Sequence, residues 1–134
     1  MNSANPTSMN RRIYYHDTDA GGVVYYANYL KFMEEARFEF LHSHGFPVDR
    51  SGDQEILFPV AHCSISYRRP ARLGDMLICT AGLTRITRAR MIFRQDVRLK
   101  DSHELLVEAD ITLACVNADL RPIAIPADIR AHFA

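Results

Sequence analysis

The sequence predicts an α+β domain in which a five-stranded antiparallel sheet wraps around one long helix. Three observations carry this expectation. One segment, 27–44, places apolar residues at helical spacing. One short segment before it and four after it have strand composition or alternation. The four later strands follow one another through short links, which suits an antiparallel meander, and a lone helix must lay its apolar stripe on that sheet.

The elements can be taken in chain order. Residues 1–10, rich in Ser, Asn, Pro and Thr, read as a flexible tail, and 11–134 as a single domain, a length that suits one core. Arg11 to His16, with Ile13, Tyr14 and Tyr15, reads as the first strand. Asp17-Thr18-Asp19-Ala20-Gly21-Gly22 is a turn, since Asp and Gly favour turn conformations. From Ala27 to His44, the residues Tyr29, Met33, Ala36, Phe40, Leu41 and His44 form the stripe, with Phe32 beside it and Lys31, Glu34, Glu35 and Glu39 off it. Gly45, followed by Pro47, stops the helix, and residues 46–55 read as loop.

Pro59 to Arg69 alternates, with Ala61, Cys63, Ile65 and Tyr67 on one face. Arg69 to Asp75 is a connection to the next strand, Met76 to Ile86. Met91, Phe93, Val97 and Leu99 alternate against Arg94, Asp96, Arg98 and Lys100. Glu104 to Asn117 is the longest strand, and a helical turn near Asp128 to Phe133 closes the chain.

Lys plus Arg and Asp plus Glu are both 16, so the net charge is zero, which argues against nucleic-acid or anionic-membrane partners. The lysines are Lys31 and Lys100, and the other cations are Arg, the better planar partner for phosphate. Cys63, Cys79 and Cys115 stand far apart, without a CxxC pair, and fit free thiols in a reducing compartment. With no signal-like h-region and no apolar run near ~20 residues, the expected location is cytoplasmic, with no transmembrane segment. His42 and His44 point to different helix faces at their spacing, and no metal site is expected.

The chemistry centres on Tyr15-His-Asp-Thr-Asp-Ala-Gly-Gly-Val-Val-Tyr-Tyr-Ala-Asn-Tyr29. It sets two carboxylates before a helix N-terminus, whose unpaired N–H groups and positive dipole end can hold an oxyanion. Gly21 and Gly22 let a substrate approach the backbone, and Gly22 with the adjoining Val23 is the expected substrate contact. A plain turn and helix cap is the alternative reading, and spacing leaves open which Asp works.

This stretch, from Arg11 to about Gly45, resembles the signature of the YbgC-type and 4-hydroxybenzoyl-CoA thioesterases. The resemblance extends more loosely over Tyr67-Arg-Arg-Pro-Ala-Arg-Leu-Gly-Asp75. It implies a hotdog fold, acyl-CoA thioester hydrolysis, and a homodimer or dimer of dimers, that is, a homotetramer. It implies Asp19 as the catalytic carboxylate and the Tyr26 backbone N–H as the group that polarises the thioester carbonyl; Asp17 reads as structural, capping the turn. Whether Asp19 attacks directly or activates water stays open. No cofactor is implied, since CoA enters as part of the substrate. Two departures from the YbgC pattern stand out: His16 where that family has Glu, and Tyr26 where it has His. Tyr there is closer to the hydroxybenzoyl branch, so the acyl group is short-chain or aromatic.

Arg85-Ile-Thr-Arg-Ala-Arg90 clusters arginines suited to the phosphates of CoA, with Arg88 and Arg90 as the choices and a solvated hairpin tip as the alternative. Arg68, Arg69 and Arg72 form a second cluster that can equally pair with carboxylates across the sheet. Two rivals remain: a hotdog enoyl-thioester hydratase, for which no His–carboxylate pair stands out, and an envelope-associated protein that binds acyl carrier protein with little turnover.

Overall fold

The computed structural model describes residues 6–46 and 56–134. Its elements are β1 (Thr7–Arg12), a 3-10 turn (Tyr15–Asp17), α1 (Asn28–Ser43), β2 (Ile56–Leu57), β3 (Val60–Tyr67), β4 (Met76–Ile86), β5 (Arg90–Leu99), β6 (Leu105–Ala114), β7 (Val116–Asn117) and α2 (Ala127–Phe133). Five strands make one sheet in the order β1-β4-β5-β6-β3, antiparallel throughout, while β2 and β7 pair separately.

That order corrects two expectations. Only β4, β5 and β6 form a meander; β3 pairs with β6, at the far edge from β4. The link from β3 to β4 is therefore a crossover, not a tight turn, and it runs over the N-terminal end of α1. There Ala71 is fully buried, its N–H donates to Tyr29 Oη at 3.0 Å, and its carbonyl accepts from Val24 N–H at 2.9 Å.

The first strand is also displaced. It occupies Thr7–Arg12, so its start lies inside the stretch read as a tail, and it ends before Ile13. An edge strand needs few apolar residues, so Thr7-Ser-Met-Asn-Arg-Arg12 pairs with β4 despite its polarity. The apolar run Ile13-Tyr14-Tyr15 instead feeds the 3-10 turn. The expected loop at 46–55 and its Pro47 fall on residues 47–55, outside the described residues apart from Phe46.

Helix α1 lies within one residue of expectation and buries Tyr29, Phe32, Met33, Ala36, Phe40 and Leu41. Its end is a Schellman motif: Gly45 takes φ 82°, Phe46 N–H donates to the Leu41 carbonyl at 3.0 Å, and Gly45 N–H to the His42 carbonyl at 3.0 Å. Opposite, β4, β5 and β6 contribute Leu77, Cys79, Phe93, Val97, Val107 and Ile111 to the same core. Phe40 meets Phe93 edge-on at 5.4 Å and stacks on Phe133 of α2 at 5.7 Å. Burying a side chain of this size contributes roughly 1.5–3 kcal/mol, so the aromatic seam anchors helix to sheet.

The helix is also bolted to β5 by polar groups. Arg37, 8% exposed, donates to Gln95 Oε1 at 3.0 Å, and the fully buried Gln95 donates to the Met33 carbonyl at 2.9 Å. The helix N-terminus is held against the crossover by the Tyr29–Ala71 bond, and this is where the chemistry-bearing motif sits.

Candidate active site

The turn that carries both aspartates is built by hydrogen bonds that separate their roles. Asp17 is 3% exposed. Its carboxylate accepts from Arg11 Nη1 at 3.0 Å, Arg11 Nη2 at 3.2 Å and Tyr14 N–H at 2.9 Å. Burial pushes its pKa up, but the Tyr14 N–H and the Arg11 guanidinium outweigh burial and hold it below the ordinary carboxylate value. Arg11 in turn sits over the Phe32 ring at 4.6 Å and reaches Glu35 at 3.5 Å. Asp17 is a buried structural anchor.

Asp19 is exposed and makes no ion pair among the described residues. Its Oδ1 accepts from Gly21 N–H at 2.8 Å, and its backbone closes a tight loop, Asp19 N–H to the Val23 carbonyl at 2.9 Å and Gly22 N–H to the Asp19 carbonyl at 3.0 Å. Gly22 takes φ 77°, which a side chain resists, and a Cβ on Gly21 would stand 3.2 Å from Asp19 Oδ1. The glycine pair thus lets the loop turn tightly while Asp19 faces outward.

The loop is locked to the helix entrance. The Asp17 carbonyl accepts from Tyr25 N–H at 3.0 Å and from Asn28 Nδ2 at 2.9 Å. Asn28 N–H donates to the Tyr25 carbonyl at 2.8 Å. A trans peptide points its carbonyl and N–H in opposite directions, so the Tyr26 N–H faces out of the helix, and no acceptor meets it among the described residues. The residue before the helix is Ala27, a poor N-cap, with no side-chain cap bond. Among the described residues the Tyr26 N–H is thus left open at the entrance of a 16-residue helix, beside a carboxylate.

A cleft of about 290 Å³ opens here, lined by Asp19, Val23, Tyr26, Tyr29, Tyr67 and the Arg68-Arg69-Pro70 stretch. Of the residues singled out in the sequence, Asp19, Val23 and Tyr26 meet in this cleft, and Gly22 adjoins it. Arg88 and Arg90 do not. They lie at the β4–β5 hairpin, at the other end of the sheet, where Arg88 lines a separate hollow of about 450 Å³ with Arg85, Arg130 and Phe133. Arg68 pairs with Glu108 at 3.1 Å and Arg69 with Glu104 at 2.9 Å, the cross-sheet reading of that cluster. Sequence reasoning did not pick out Tyr67 or Asn28; the crossover that carries Tyr67 to the helix entrance has no local signal.

Set against known proteins, residues 21–106 match the thioesterase superfamily profile. The chain belongs to the thioesterase superfamily. This thioesterase-family chain is 38% identical to the acyl-CoA thioester hydrolase YbgC of Escherichia coli O157:H7 over 123 residues, 91% of each chain. It is 37% identical to the acyl-CoA thioesterase YbgC of Haemophilus influenzae, over 91% of this chain and 90% of that one. A probable thioesterase from Bartonella henselae superposes with TM-score 0.85 at 32% identity, over 91% of this chain and all of the other. The fold is the hotdog fold of these thioesterases, with α2 added to the one long helix. No helix among the described residues is long and apolar enough to cross a membrane.

Proposed function

We propose that the chain hydrolyses acyl-CoA thioesters, acyl-CoA plus water giving a free acid and CoA. The observation that carries this reading is the division of labour between the aspartates: Asp17 is consumed by Arg11 and Tyr14, while Asp19 is open in the cleft that the helix N-terminus faces. Relatives named as acyl-CoA thioester hydrolases, matched over nearly their whole length, support it.

In this reading the thioester carbonyl oxygen takes the Tyr26 N–H, and negative charge building on it is stabilised by that donor and the helix dipole; one preorganised donor of this kind is worth about 3–4 kcal/mol. Asp19 attacks the carbonyl carbon, or takes a proton from the water that does. The tetrahedral intermediate collapses with loss of CoA thiolate, a good leaving group, which takes up the proton given up by the water; where Asp19 itself has attacked, the collapse leaves an acyl–Asp19 anhydride, and water then cleaves it to the free acid and the Asp19 carboxylate. Water supplies the acid's new oxygen, and no other co-reactant is needed. The acyl group is short-chain or aromatic and lies against the Tyr26, Tyr29 and Tyr67 rings.

The chain acts as a homodimer or dimer of dimers closed through the edge of β3, whose outward face is exposed and whose Cys63 and Ile65 are only partly buried. Arg88 and Arg90 take the phosphates of CoA. Cys63 and Cys79 stand as thiols outside any disulfide, which suits the cytoplasm.

Thiol release from a panel of short-chain, long-chain and aromatic acyl-CoAs tests the reading. Wild type cleaves at least one, and Asp19→Asn, which keeps shape and removes charge, loses most of the rate, about a hundredfold or more. A folded wild type that cleaves none, yet retains acyl carrier protein on a column, returns the protein to the binding role.

A further inference from the structure

Tyr67 ends β3 and is that strand's contribution to the Asp19 cleft. Its ring stands against two rings of the helix entrance, edge-on to Tyr26 at 6.1 Å and to Tyr29 at 5.8 Å. Its hydroxyl donates to the Tyr26 carbonyl at 3.0 Å. That carbonyl is one the helix leaves unused. In a regular α-helix it would accept from the N–H of Leu30, but Leu30 N–H goes to the Ala27 carbonyl instead, at 3.2 Å. A helix that opens on a 3-10 turn frees one carbonyl, and Tyr67 takes it.

The consequence falls on the Tyr26 N–H. The peptide before Tyr26 is held by Asn28 N–H on the Tyr25 carbonyl at 2.8 Å. The peptide after it is held by Tyr67. With both neighbouring peptides pinned, both backbone torsions of Tyr26 are fixed, and turning its N–H away from the cleft breaks one of the two bonds. Burial, with Cys63 and Tyr26 nearby, raises the Tyr67 phenol pKa, so it stays protonated and remains a donor.

We infer that Tyr67 is a positioning residue: its hydroxyl holds the Tyr26 peptide turn and so fixes the direction of the N–H that receives the thioester oxygen. The inference rests on the assignment of Asp19 and the Tyr26 N–H made above. A donor that need not reorient as charge develops is what makes such stabilisation effective, so a looser turn lowers the rate of the chemical step more than the affinity for substrate.

Tyr67→Phe tests it, because it keeps the ring and both aromatic contacts and removes one O–H. On the best acyl-CoA of the panel, kcat falls about three- to tenfold, the effect of one ordinary hydrogen bond. KM stays within about twofold, because the substrate's ground-state contacts are untouched. Tyr67→Ala, which also removes the wall, raises KM as well. The position is partly exposed, so thermal unfolding of Tyr67→Phe matches wild type and a folding defect does not explain the split. Unchanged kcat in Tyr67→Phe overturns the inference, as does a raised KM with wild-type kcat, which makes the phenol a substrate contact. Asp19→Asn is measured beside it. If that variant keeps its rate, the site assignment has failed and the inference with it. If it loses its rate while Tyr67→Phe does not, only the positioning role has failed.

Discussion

Asp17 and Asp19 are separated by a single residue in sequence and by most of the available solvent in space. The buried one is a stability element. Its folded pKa is lowered, so its contribution is complete above the unfolded carboxylate value of about 4 and is lost as pH falls below that toward the folded value. Urea unfolding therefore shows little change from this group between pH 7 and 5 and a decline below about pH 4. Asp17→Asn costs about 3 kcal/mol at pH 7, because Arg11 loses its buried partner, and its acid decline is shallower than that of wild type. Equal slopes in the two proteins would show that other carboxylates carry the acid response. Spacing left the two aspartates equivalent for a physical reason: what divides them is a guanidinium arriving from β1 and a backbone N–H in the 3-10 turn. It took the family resemblance to put the chemistry on Asp19, the aspartate that stands open in the cleft.

Among the elements, the strands and the helix were legible wherever burial is periodic, and misread where the sheet edge intervenes. The stripe of α1 and the alternation of β5 and β6 reflect faces that are buried over most of their length. β1 is an edge strand and advertises itself poorly, so the apolar residues just after it drew the boundary too late. One gap in a pattern carried information. The buried face of β5 reads Met91, Phe93, Val97, Leu99 and skips position 95, and the polar residue there, Gln95, is fully buried beneath α1. It is the counterpart of the buried Arg37, which a helical stripe of apolar residues does not announce. Gln95→Leu strips Arg37 of its acceptor and destabilises the fold by roughly 2–3 kcal/mol. Arg37→Leu together with Gln95→Leu recovers most of that loss, since replacing both partners leaves nothing buried and unpaired. Chemical denaturation of the single and double variants measures the coupling, and additive losses would mean that the bond does not matter.

At the scale of the molecule, the distance between the two candidate regions becomes an argument about assembly. The Asp19 cleft lies at the start of α1 and the Arg88 hollow near its end, where α2 stacks Phe133 on Phe40. The helix between them has 16 residues, or about 24 Å. Within one chain, a CoA whose thioester sits at Asp19 reaches Arg88 only by running the length of that helix. If the β3 edges of two copies pair antiparallel, the two chains run in opposite directions across the seam, which would carry the hairpin of each toward the cleft of the other. That arrangement predicts that Arg88 and Arg90 serve the partner's thioester. Replacing both with Glu raises KM for acyl-CoA about tenfold or more, with a smaller effect on kcat, because phosphate contacts hold ground and transition state alike. Mixed dimers decide whose site the arginines serve. One chain carries Asp19→Asn and the other Arg88→Glu with Arg90→Glu, each with its own affinity tag. Service to the partner leaves one of the two sites wholly intact, and the doubly selected dimer retains about half of the wild-type rate. Service to the same chain leaves a defect in both sites, and at low substrate the mixed dimer shows almost none.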